Sequence, residues 1–160
     1  MAYNRDKAVA YAHKWAFGRN PAFYDFSKIG GDCTNFISQC LYAGGAPMNY
    51  KKYLGWYYNS SYSRAPAWSS AHYLYHFLIS NKGIGPRGTP ITLSQLRVAD
   101  IIQLSFDANT YTHSLLVVEV GAPVNEDTVL IATHTDDSDF RPLSSYKKKM
   151  EYRCIEITVP

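Results

Sequence analysis

The sequence predicts an α+β fold in which N-terminal helices pack on an antiparallel sheet or half-barrel. Up to Gly83, apolar residues recur at helical spacing, as in Cys33, Phe36, Ile37, Cys40 and Leu41. Beyond Gly83 the pattern changes to short β-branched or apolar runs bounded by turn residues. Those runs are joined by short connections, which favour an antiparallel meander over crossovers. Helices segregated from such a sheet define the α+β class. A chain of 160 residues can bury one continuous core, so 1–160 reads as a single domain.

The first helix opens at Asn4, an N-cap residue type, and Val9, Ala12 and Ala16 give it an apolar face. Gly18 followed by Pro21 stops it, and residues 20–31 form a polar, aromatic loop. The second helix opens at Asp32 and closes at Gly44-Gly45. Residues 47–68, rich in Tyr and Trp, read as one long loop, and long ordered loops in compact domains often carry function. A third helix starts near Ser69 or Ser70, turns Leu74, Phe77 and Leu78 inward, and ends at Gly83. Gly85-Pro86 and Gly88 mark turns, and residues 93–96 a short helical turn. Strands are expected over 101–106, 113–120, 129–135 and 152–159.

A formal charge of +3 gives no ground for a nucleic-acid or membrane-surface partner, and the run Lys147-Lys148-Lys149 reads as a solvated turn or edge. No apolar stretch approaches the roughly 20 residues of a transmembrane helix, and the first residues hold no signal-peptide core. The chain therefore reads either as cytoplasmic or as a domain excised from an exported, extracellular or cell-wall protein. Its three cysteines argue against a disulfide scaffold, and three unpaired thiols fit a reducing compartment. There is no CxxC pair for zinc, and no cofactor is expected.

Gly30-Gly31-Asp32-Cys33-Thr34-Asn35-Phe36 is the most informative segment. Asp32 is suited to cap the helix through backbone N–H groups of Thr34 or Asn35. Cys33 is then the first helical residue, where the dipole and unpaired N–H groups lower a thiol's pKa and can hold an oxyanion. The two glycines let a substrate approach the backbone. The competing reading is a buried cysteine that opens an amphipathic helix. Of the histidines, His13, His72 and His76 fall inside helices. His72 and His76 are spaced i, i+4, but no Glu lies between them, so no metal site is expected. His113 begins one strand and His134 ends the next. A hairpin centred near Val124 pairs residues whose numbers sum to about 248, which brings both histidines to one end of the sheet. A strand-borne base oriented by a polar neighbour is what a Cys–His–X site requires.

Asp32-Cys33-Thr34-Asn35-Phe36 with Ser38-Gln39 resembles the nucleophile motif of the bacterial amidase-domain family known as amidase 6, related to the NlpC/P60 and CHAP papain-like cysteine peptidases. Leu96 to Ile102 resembles the entry to their first strand, and Thr112 to Val118 their histidine strand. Ala132-Thr133-His134-Thr135, Arg141-Pro142-Leu143-Ser144, Gly55 to Asn59 and Ala65 to Trp68 extend the likeness over nearly the whole chain. The resemblance implies a papain-like fold and a cysteine amidohydrolase that cleaves amide bonds, in cell-wall or peptidoglycan-derived peptides. Cys33 would be the nucleophile, His113 the base, and His134 or Asp136 the orienting residue. No glutamine precedes Cys33 to serve an oxyanion hole, so Tyr24 is the substitute, with Asp32 and Trp56 as further substrate-contacting residues. His134 stands farther beyond His113 than the third residue of NlpC/P60 enzymes does. Two other readings stand beside this one: a non-catalytic glycan- or peptide-binding module using loop 47–68, and a metal hydrolase built on His72, His76 and a carboxylate.

Overall fold

The computed structural model describes residues 2–160. Helix α1 (Arg5–Trp15) starts on Asn4, whose side chain accepts from the Lys7 amide. Helix α2 (Cys33–Ala43) is central, and every residue from Cys33 to Leu41 is buried. It is closed in on all sides, so its polar residues need partners. Thr34 meets the Ser114 hydroxyl at 2.9 Å, Ser38 donates to the Trp68 carbonyl at 2.8 Å, and Gln39 accepts from Tyr11.

Residues 47–68 are more ordered than a loop. They contain a small hairpin, β1 (Tyr58–Ser60) with β2 (Ser63–Arg64), and one helical turn, α3 (Pro66–Ser69). Trp56 and Trp68 are fully buried with ring centroids 4.7 Å apart. Their indole N–H groups donate to Ser38 Oγ and Asn35 Oδ1, both on α2. The two tryptophans therefore cover α2 as core residues. Helix α4 (Ala71–Ser80) is capped by Ser70 and ends at Asn81, ahead of Gly83.

The main sheet holds β3 (Arg87–Ile91), β4 (Ile101–Ser105), β5 (His113–Glu119), β6 (Leu130–Thr133), β7 (Ser138–Pro142) and β8 (Glu151–Thr158). Their order is β3-β8-β4-β5-β6-β7, with all neighbours antiparallel. Of the expected meander only β4 to β6 run in sequence, continued by the unexpected β7, because β8 returns to lie between β3 and β4. Strand β3 falls where Gly88 suggested a turn, and it also contains Pro90. It is an edge strand, where proline costs no ladder bond, and a Cβ on Gly88 would lie within 2.8 Å of Leu78 and Ile155. Polar β7 forms the other edge.

Both faces of the sheet are covered. Ile101, Leu116, Ala132 and Ile155 join Phe36, Ile37 and Leu41 on the helical side. Ile102, Leu104, Leu115, Val117 and Cys154 pack beneath Leu96, Leu143 and Tyr146 on the other. Leu116 pairs with Ala132 and Val117 with Ile131, the register expected for the β5–β6 hairpin. No helix among the described residues is long and apolar enough to cross a membrane.

Candidate active site

Cys33 stands at the N-terminus of α2 and His113 at the start of β5; both line one cavity of about 760 Å³. The Cys33 Sγ lies 3.9 Å from the carbonyl of Thr112, the residue before His113. A second hollow of about 390 Å³ meets the first at Cys33 and Thr112 and runs toward Arg64 and His72. The thiol thus sits where two depressions join, in position to face the middle of an extended ligand.

Burial dominates the electrostatics here. It pushes the Cys33 thiol above its ordinary value, against the downward pull of hydrogen bonds from Ser114 and Thr34. The thiolate character expected from the helix dipole is outweighed in the unliganded protein. Burial, reinforced by the Arg141 charge and opposed by Asp136, lowers His113 to about 4. Both groups are accordingly neutral near pH 7. The His113 ring meets Tyr146 edge-on, with 5.9 Å between centroids.

His134 is placed elsewhere. Its Nδ1 lies 2.6 Å from Asp32 Oδ2 and its Nε2 2.8 Å from the Trp15 carbonyl, while its ring stacks on Phe36. Both ring nitrogens are thus engaged, and neither is left for His113. Asp32 makes no side-chain cap bond. Its carboxylate takes the His134 proton donor together with the Phe26 amide and the Asn35 side chain, because the pairing satisfies a fully buried charge. The Asp32–His134 pair therefore ties the start of α2 to the end of β6.

Asp136 does reach the cavity. It sits in the β6–β7 turn, where Thr135 and Asp136 have φ of 66° and 55°. Positive φ at both central residues is the mark of a type I′ turn, usually made by Asn and Gly. A β-branched Thr there is strained by about 1–3 kcal/mol, and such strain concentrates at functional sites. The turn is fastened by Arg19, which binds Asp137 through both terminal nitrogens at 2.9 and 3.0 Å and also reaches Asp25. Gly31 has a φ of 100°, the left-handed region that favours glycine, and an added Cβ there would merely touch Thr135 Oγ1 at 3.5 Å.

Three expected contacts are absent from this cavity, the first being Asp32, which is buried and bonded to His134. Trp56 is fully buried in the core and has no face to offer a ligand. Tyr24 is exposed, but it lines a separate depression with Tyr58 and Asn59. Arg141 and Tyr146 also line the cavity and Arg19 fastens the turn beside it; none of the three stands out as a site residue in the sequence. Among the described residues, no group of three metal-ligating side chains comes together.

The chain matches the family described as "Putative amidase domain" over residues 2–155. It belongs to that family. It is also similar to "Uncharacterized protein YhbB" of Bacillus subtilis (strain 168), at 37% identity over 143 residues. That alignment covers 87% of this chain and 43% of the relative, so the chain spans less than half the length of the curated protein it matches. No solved structure matches the chain. Membership in an amidase family points to amide hydrolysis as the general activity.

Proposed function

We propose that this amidase-family chain is a papain-like cysteine amidohydrolase, kin to the NlpC/P60 and CHAP enzymes, acting on peptide substrates such as cell-wall peptides. The observation that carries this reading is the shared cavity of Cys33 and His113, a thiol at a helix N-terminus facing the same space as a strand-borne imidazole. As the Cys33 sulfur attacks the amide carbonyl carbon, its proton passes to His113. The Cys33 backbone N–H stabilises the oxyanion. Collapse of the tetrahedral intermediate breaks the C–N bond, and His113 returns the proton to the departing amine. Water, deprotonated by His113, then cleaves the thioester, releasing the acid and restoring the thiol. Asp136 is the orienting carboxylate, since its charge acts on His113 while the His134 nitrogens are occupied.

The test is the pH profile of Cys33 alkylation by iodoacetamide, followed by mass spectrometry in the wild type and in His113→Ala. A base that titrates near 4 assists the thiol over a broad plateau reaching well below pH 7, and that plateau vanishes in His113→Ala. Identical single-step curves in both proteins would make Cys33 structural. With a peptidoglycan-derived substrate, Cys33→Ala is expected to lower turnover by roughly a thousandfold or more.

A further inference from the structure

We propose that the cavity beside Cys33 binds a carboxylate flanking the scissile amide, so that the substrate is an acidic peptide; this rests on the amidohydrolase reading above. Four cations line the cavity, Lys28, Arg141, Lys147 and Lys148, against the single carboxylate of Asp136. Among the described residues, none of the four has an ion-pair partner. Lys149 differs: it pairs with Glu126 at 2.7 Å. The basic run is thus divided, with Lys147 and Lys148 on the cavity and Lys149 neutralised outside it.

The floor is built more firmly than the rim. Arg141 donates from Nε to Ser145 Oγ at 2.6 Å, and its guanidinium lies 3.7 Å from the centre of the Tyr146 ring. These contacts fix its plane, and Nη1 has only a 3.5 Å contact with Ser138. Tyr146 is 8% exposed, and its ring backs Arg141 at the cavity wall. A planar guanidinium whose second terminal nitrogen has no hydrogen-bond partner among the described residues matches a carboxylate, which accepts several hydrogen bonds at once. The placement also bears on His113. An anion seated on Arg141 offsets one of the charges that suppress its protonation, so the acidic substrate raises the basicity of the group that must take the thiol proton.

The experiment uses the full chain carrying Cys33→Ala, titrated at low salt with N-acetyl-glutamyl-alaninamide and its glutaminyl isostere, binding being followed by NMR. The glutamyl probe is expected to bind about tenfold more tightly. Arg141→Gln should bring the two probes within about twofold. Lys147→Gln with Lys148→Gln, both exposed and so safe for folding, should narrow the gap, as should added salt. The His113 ring should titrate at higher pH with the glutamyl probe bound. If a phosphoseryl probe outcompetes the glutamyl one, the site is for phosphate and the proposal falls. Equal affinity for the two probes, no binding of either, or a preference untouched by both sets of variants also overturns it. Because these probes bind a chain without the nucleophile, an inert Cys33 would sink the amidase reading while leaving this result readable on its own.

Discussion

His113 is a buried imidazole facing a cation, and that fixes the sign of its effect on stability. Its folded value of about 4 lies below the ordinary 6.5, so on acidification the unfolded chain binds the proton first. Stability is unaffected above about pH 6.5 and declines as pH falls from there toward 4, by roughly 3 kcal/mol in all. His113→Gln should flatten that part of the profile, as read from urea unfolding at several values between pH 7.5 and 4. Equal slopes in both proteins would mean that the ring is wetter than its burial implies. The site was partly legible at this scale. Asp32-Cys33 was found because a capping residue type and a helical stripe are local signals, and His113 because it opens an apolar strand. The use of Asp32 was not legible, since its carboxylate serves a histidine 102 positions away. Nothing local marks Tyr146 or Arg19, whose roles arise only when distant segments meet.

At the level of elements, the aromatic segment 47–68 reads as a long loop because its polar residues and glycine break any periodicity. Its order comes from tertiary partners: Trp56 and Trp68 dock on α2, and Asn49 pairs with Trp56 as an isolated antiparallel bridge. Gly55 makes that bridge possible. A Cβ there would fall 2.1 Å from the Asn49 carbonyl and 2.7 Å from that of Lys51, and both obstacles are backbone. Gly55→Ala should therefore cost about 3 kcal/mol, with the buried tryptophans reporting the change by fluorescence during denaturant unfolding. A variant as stable as the wild type would show that the bridge is dispensable. The longer strands are legible, since β4 and β5 are rich in apolar and β-branched residues and β8 alternates them with polar ones. Strands β3 and β7 were missed for one reason: edge strands tolerate Pro, Gly and charge, so their sequences resemble turns.

Across the whole molecule, one side chain joins the start of the chain to the middle and the end. Arg5, at the first turn of α1, donates from Nη1 to the Val98 carbonyl and to Asp100 Oδ1, both at 2.8 Å, and from Nη2 to the Ile157 carbonyl at 2.7 Å. Asp100 is completely buried, and its remaining partners are the amides of Arg97 and Ile157. Removing the guanidinium would strand a buried carboxylate at the junction of α1, β4 and β8, a loss of about 3–5 kcal/mol. For a chain of this size that corresponds to a melting temperature lower by roughly 10 °C. Arg5→Ala should show the full drop. Arg5→Lys should recover only part of it, because an ammonium cannot hold the fixed fork that meets three acceptors on two separate segments. Since α1 also packs against α2, which carries Cys33, the melt should stay a single transition and alkylation of Cys33 should accelerate as it begins. An early, separate transition of α1 with Cys33 still protected would show that the N-terminal helix is an attachment to the active-site layer, with the tie at Arg5 holding only itself.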